Sequence, residues 1–250
     1  MNTIEQSGLN FTDDFSIACT INYFRQEDVL QYFINRVSFY AFNGGEMEAA
    51  ALWATHIIID CKDTLGAVVN QVPERRIQRI SVKYISLLSD LEADSRLTTV
   101  DKMKESFLLM QEWESEMLPD VNYPTAFHLD EQRFLDLTFD FNLLCRMNGI
   151  SEQQALQYFI NQISLAKQSA ENLLNFTHKN ASMSFFEAML LSKSMRNKRL
   201  PFQHAIHKLY TDRLLTIDEW LKEEQDVDKR LLVYKAFYAE WYHNLVKSLN

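Results

Sequence analysis

Apolar residues recur along most of this chain at helical spacing. Between positions 26 and 40, Val29, Leu30, Phe33, Ile34 and Val37 fall three and four residues apart, on one stripe of a helix. The stripe returns later as Ala155, Leu156, Phe159, Ile160 and Ile163. The same period predicts helices over 47–60, from 73 to about 91 and from 201 to about 213. Two long closing helices are predicted over 98–117 and 228–249, bearing Trp113 and Trp241. Pro73 and Pro201 suit a first helical turn, where a missing N–H costs nothing. Asn43-Gly44-Gly45-Glu46 reads as a turn. Only 134–139 alternates in the manner of a strand. The pattern predicts an all-α protein with about five helices in each half.

The chain also repeats itself. Residues 14–38 and 140–164 align without a gap at an offset of 126, and eleven of the twenty-five pairs are identical. Chance on ordinary composition gives roughly one or two. The identities include Asp14/Asp140, Cys19/Cys145, Asn22/Asn148, Gln31/Gln157, Asn35/Asn161 and Ser38/Ser164. Fainter landmarks follow in order: Val72-Pro73 with Leu200-Pro201, Asp101-Lys102 with Asp228-Lys229, and Glu112-Trp113 with Glu240-Trp241. The expected organisation is two tandem homologous helical bundles, 11–118 and 137–247, joined by a connector over 119–136 whose start holds Pro119 and Pro124. A pseudo-two-fold relation of the copies is the corresponding expectation, since duplicated domains can reuse an ancestral homodimer contact.

Composition narrows the class without naming an activity. Five glycines and four prolines in 250 residues disfavour a turn-rich all-β fold. No apolar run reaches membrane-spanning length, and the first ten residues lack the basic and apolar regions of a secretory signal. Cys19, Cys61 and Cys145 make an odd count, two of them repeat equivalents, which fits buried thiols in a reducing compartment. A cytoplasmic location is therefore expected. The net charge of −9 lies wholly in the first half: residues 1–125 hold 10 Lys+Arg and 19 Asp+Glu, residues 126–250 hold 15 of each. That balance disfavours broad nucleic-acid binding.

Polar residues kept in both copies are the first candidates for a binding site. Gln31, Asn35 and Ser38 lie one helical turn apart along one edge of the apolar stripe, and Gln157, Asn161 and Ser164 repeat the row. Such a row can hydrogen-bond a partner, or it can satisfy buried backbone groups of its own bundle. Basic residues offer a second site. Arg75, Arg76, Arg79 and Lys83 share one predicted helix, and Lys193, Arg196, Lys198, Arg199, Lys208 and Arg213 lie in the corresponding part of the second copy. Either set could meet an anionic partner or be a solvated helix face. Glu112, Glu114 and Glu116 form an opposite, acidic pole.

Catalytic and metal signals are thin. Glu240 and His243 have the Glu-x-x-His spacing of di-iron bundles, but the matching position after Glu112 is Ser115. His204/His207 and His56/Asp60 have helical ligand spacing without a third ligand nearby. No phosphate-cradling glycine loop, Gly-x-Ser-x-Gly or Cys-x-x-Cys occurs. No cofactor, no metal and no catalytic residue is expected.

The order strand 134–139, short helix ending at Asn148-Gly149, Ile150-Ser151, second helix resembles the ribbon-helix-helix fold of small bacterial repressors and antitoxins. That resemblance implies a strand pair from two protomers entering the DNA major groove. The segment here carries Asp136, and 11–14 of the first copy reads Phe-Thr-Asp-Asp, without the Lys, Arg or Gln that would meet phosphates and base edges. The functional expectation is a non-catalytic adaptor or scaffold that binds another protein. A DNA-associated regulator stands second and a metal-dependent helical-bundle enzyme third. No membrane partner is expected, and homo-oligomerisation is left open.

Overall fold

The computed structural model describes residues 8–42, 48–66, 75–118, 124–172 and 180–249. The chain is mostly helical, with one two-stranded ribbon. In the first half the helices are α1 (Asp13–Ile21), α2 (Gln26–Arg36), α3 (Phe39–Phe42), α4 (Ala49–Leu65), α5 (Arg75–Ala93) and α6 (Thr99–Met117). Strands β1 (Ala126–His128) and β2 (Phe134–Asp136) pair antiparallel, with Phe127 opposite Leu135. The second half follows with α7 (Phe139–Asn148), α8 (Glu152–Gln162), α9 (Leu165–Asn172), α10 (Ala181–Leu191), α11 (Lys193–Arg196), α12 (His204–Trp220) and α13 (Val227–Leu249). The turn read at 43–46, Pro73 and residues 119–123 lie outside the described residues.

The repeated motif is built from the same local bonds twice. Thr12 and Thr138 cap α1 and α7, each Oγ1 accepting the N–H three residues on, of Phe15 and Phe141, at 3.2 Å. At the other end, Asn22 Nδ2 donates back to Ala18 O (2.9 Å) and Asn148 Nδ2 to Leu144 O (2.8 Å). The left-handed residue follows each asparagine. In α7 it is Gly149, φ 68°. In the first copy Tyr23 takes the same conformation, φ 62°. The bonds that close each turn agree as well: Phe24 N–H to Cys19 O at 2.9 Å, Ile150 N–H to Cys145 O at 3.0 Å. The turn is thus the same in both copies, although only one has glycine. Tyr23 bears the strain of a bulky left-handed residue, and its ring is held by Phe202 at 4.5 Å.

The stripe read as one helix over 26–40 breaks at Val37-Ser38. The Ser38 N–H turns aside to Thr55 Oγ1 (3.1 Å), and that hydroxyl donates to Ser38 O (3.2 Å). At the equivalent break the Ser164 N–H meets Met183 Sδ (3.4 Å), while Ser164 Oγ caps α9 by accepting from Lys167 N (3.2 Å).

Two compact units make up the chain, and each draws on both halves of the sequence. One comprises 33–156: the end of α2, α3 to α7, the strand pair and the start of α8. Its core holds Phe33 edge-on to Phe141 (5.9 Å, 83°) and Phe39 edge-on to Trp113 (4.9 Å, 85°). The other comprises 9–32 and 157–250: α1, the start of α2, the end of α8 and α9 to α13. There Phe15 lies edge-on to Phe159 (6.2 Å, 74°), and Phe159 to Phe185 (5.6 Å, 79°). Alanines 166 and 170 let α9 approach α13, whose Tyr234, Phe237, Trp241 and Leu245 complete that core.

Candidate functional site

The shared polar rows have defined local duties in this structure. The side-chain amide of Gln157 grips one backbone residue twice. Its Oε1 accepts from Asn10 N (2.7 Å) and its Nε2 donates to Asn10 O (2.9 Å). That Nε2 also donates to Asn161 Oδ1 (2.8 Å), so the pair pins the segment entering α1. Ser38 and Ser164 shape the breaks described above. Gln31 is half-buried, and Asn35 and Asn161 are exposed. Four of the six residues thus serve backbone geometry, the alternative that spacing alone left open.

The basic sets fall in different compact units. Arg75, Arg76, Arg79 and Lys83 are all exposed on α5, opposite its buried Ile77, Ile80 and Tyr84. Arg79 Nε donates to Arg75 O, and Lys83 Nζ pairs with Glu116 at 2.6 Å. In the second unit, Lys198 pairs with the buried Asp28 (3.0 Å), which also holds Arg25 (2.9 Å). Arg199 donates to Leu190 O (3.3 Å) and lies over the Phe24 ring (5.4 Å). Lys193, Arg196 and Lys208 are exposed.

A cluster that sequence reading missed occurs twice. Tyr84 stacks on Trp113 (5.7 Å, 5° between planes), its hydroxyl donates to Glu116 (2.9 Å), and Lys83 sits over its ring (4.6 Å). Tyr210 stacks on Trp241 (5.5 Å, 11°), its hydroxyl donates to Glu240 (2.9 Å), and Arg213 sits over its ring (4.9 Å). Tyr84 and Tyr210 stand 126 positions apart, so the signal was in the sequence. The acid was harder to find, because Glu116 follows its Trp and Glu240 precedes it. Arg213 grips Glu240 with two bonds (2.6 and 2.9 Å). Those bonds and the Tyr210 hydroxyl hold the Glu240 carboxyl down at about 2. The indole Nε1 atoms of Trp113 and Trp241 are both buried without a hydrogen-bond partner among the described residues.

Glu240 is an ion-pair partner of Arg213, and His56 lies 3.5 Å from Asp60. Among the described residues no group of three or more His, Cys, Asp or Glu could hold a metal. His207 packs among Tyr23, Phe202 and Trp241, and burial followed by the nearby Arg199 lowers its pKa. All three cysteines are free and buried, and burial raises each thiol, Cys61 to about 12. Asp140 accepts from Phe39 N (2.9 Å), but burial and the neighbouring Glu114 leave its pKa raised.

The ribbon-like segment has the expected order, β2 then α7 then α8. Its partner strand, however, is β1 of the same chain, and the six residues paired hold no Lys, Arg or Gln. No helix among the described residues is long and apolar enough to cross a membrane. No protein-family model, curated protein or solved structure matches the chain.

Proposed function

We propose that this chain is a non-catalytic interaction protein, an adaptor or scaffold that binds another protein, and that it arose by tandem duplication of one helical unit. The observation that carries the binding reading is a set of large apolar side chains left in solvent on helices whose other faces are already buried. On α6, Met103 is 70% exposed and Phe107 48%, beside exposed Val100 and Leu108. On α5, Val82 is 68% exposed, one turn from exposed Ile85. Single exposed apolar residues need no explanation, but rows of them on adjoining helices mark contact surfaces. The duplication reading draws support from matched side-chain geometry. Phe15 and Phe141 are repeat equivalents, as are Phe33 and Phe159, and each pairs with the other copy's member. Reciprocal exchange of this kind is what fusion of an ancestral homodimer would leave.

The test is affinity purification of tagged full-length protein from its own cells, alongside Met103→Glu/Phe107→Glu. The reading expects a defined protein retained by the native chain and lost with the variant, at unchanged circular dichroism. The same retained set with both chains, or none with either, refutes it. A second reading, a DNA-associated regulator, is favoured by the exposed basic residues of α11 and the segment after it. A salt-dependent shift of duplex DNA would support that reading, and no retention at low salt would exclude it.

A further inference from the structure

Charge along this chain is segregated into long blocks. Between Lys104 and Arg133 there is no Lys or Arg, while Glu105, Glu112, Glu114, Glu116, Asp120, Asp130 and Glu131 fall there. Between Glu187 and Asp212 there is no Asp or Glu, while Lys193, Arg196, Lys198, Arg199 and Lys208 fall there. Each block also leaves apolar side chains in water. The α6 face shows Val100, Met103, Phe107 and Leu108, with exposed Glu105 and Glu112 along its outer edge. Helical spacing places Val100, Met103 and Phe107 on one row, with exposed Lys104 between that row and Leu108, and the two glutamates around the outer side, so that the acidic charge lies on the outer edge. Neither glutamate has an ion-pair or hydrogen-bond partner among the described residues. The basic segment shows Leu191 (74% exposed), Leu200 and Phe202. The bond from Arg199 to Leu190 O draws its two ends together. Lys193, Arg196 and Lys208 of the same segment are exposed, with no ion-pair partner among the described residues.

We propose that the α6 face of one molecule docks on the 191–208 segment of a second copy of the same chain, so that the protein associates head to tail. The two surfaces are opposite in charge and alike in being part apolar, which is the combination that steers encounter and then buries area. They are different patches, so the contact is heterologous. A molecule that uses both faces extends the series until a ring closes or a filament grows. The charges are exposed, so added salt weakens the steering. The net charge of −9 opposes an anionic membrane or nucleic acid and equally a second copy at long range, so what favours the second copy is the local complementarity of the acidic and basic faces. This proposal rests on the protein-binding reading above and names the partner.

The test uses purified full-length protein and light scattering coupled to gel filtration across a concentration series at low salt. The native chain is expected to rise in mean mass with concentration and to fall back toward monomer as salt is added. A head-blocked variant, Glu105→Lys/Glu112→Lys, and a tail-blocked variant, Lys193→Glu/Arg196→Glu, change exposed side chains only. Each is expected to be monomeric alone, with unchanged circular dichroism. Mixed in equal amounts they offer two complementary pairings: the unaltered acidic head of the tail-blocked variant meets the unaltered basic tail of the head-blocked variant, and the reversed head, now basic, meets the reversed tail, now acidic. The mixture is therefore expected to recover the association that each variant alone has lost, with mean mass again rising with concentration. A native chain that stays monomeric at every concentration overturns the proposal. So does an oligomer that survives in both variants, or a mixture that stays monomeric. Binding of phosphatidylserine vesicles or duplex DNA by the native chain, lost in the tail-blocked variant while mean mass stays monomeric, assigns the basic segment elsewhere and also overturns it. Self-association is measured on the purified chain alone, so its failure leaves the outcome of the partner purification free to stand or fall separately.

Discussion

Replacing Arg230 with methionine removes the one arginine that α13 buries completely. Its guanidinium meets main-chain oxygens. Nε donates to Ala170 O (2.7 Å), Nη1 to Leu221 O (2.8 Å) and Glu224 O (3.2 Å), and Nη2 to Ser169 O (3.5 Å). Ser169 and Ala170 lie in the last turns of α9, and Leu221 caps the end of α12. One cation thus satisfies the open carbonyls of two helix ends, where the helix dipoles favour positive charge. The two short bonds are charge-assisted and worth about 1.5–3 kcal/mol each. Desolvating the guanidinium offsets several kcal/mol of that gain. Truncation does not recover the offset cleanly, because each carbonyl left buried costs about 1–3 kcal/mol. The expected loss for Arg230→Met is about 3–5 kcal/mol, the range for removing one side of a buried charged interaction. At about 2–4 °C per kcal/mol for a chain of this size, the melting midpoint falls by roughly 10 °C. Urea unfolding followed by tryptophan fluorescence, with Trp220 and Trp241 in the same unit, measures it. Arg230→Lys keeps the charge but not the fork, and is expected to recover less than half. A loss under about 1 kcal/mol for the methionine variant would show that the carbonyls find other donors, and the reasoning fails.

Two further outcomes follow from the same structure. A protease site inserted between Leu118 and Pro124 and then cut is expected to leave both fragments in one gel-filtration peak, because each compact unit takes segments from either side of the cut; separation without denaturant contradicts the two-unit composition. Asp140→Asn keeps an oxygen for the Phe39 N–H but removes a carboxylate whose folded pKa is raised by burial. A raised carboxyl pKa means the folded state holds its proton more firmly, so the ionised form costs stability at neutral pH and the cost fades as pH falls through the raised value. The variant is expected to be more stable than the native chain at pH 7, with the difference shrinking toward pH 4; an unchanged or lower melting midpoint at pH 7 counts against it.

Much of the local structure could be read in advance. Helical spacing located α5, α6 and α13 to within two residues, whereas α4 and α12 run five and seven residues past the expected ends. The break at Val37-Ser38 was hidden, because the apolar stripe runs on through it and the Thr55 hydroxyl that breaks the helix lies seventeen residues away. Tyr23 was hidden for a different reason. A bulky residue disfavours the left-handed region, and the contacts that hold it there, with Phe202, His207 and the Leu200 N–H, come from far along the chain. The candidate rows were legible as residues but not as roles: Gln157 needed Asn10, 147 positions away, to show that it holds a backbone.

The amino-acid order by itself determined that this protein is helical and where its long helices lie, and it shows one motif twice. Those properties depend on neighbours within a turn or two, through spacing, capping and local hydrogen bonds. Only the tertiary structure decided that Phe15 meets Phe159 and Phe33 meets Phe141, and that Arg230, one charge among several on its helix, is enclosed by carbonyls. Periodicity states which face of a helix seeks burial, because it records that face's contact with water. It carries no record of which other apolar face will meet it, since burial is non-directional and any apolar surface of the right shape satisfies it.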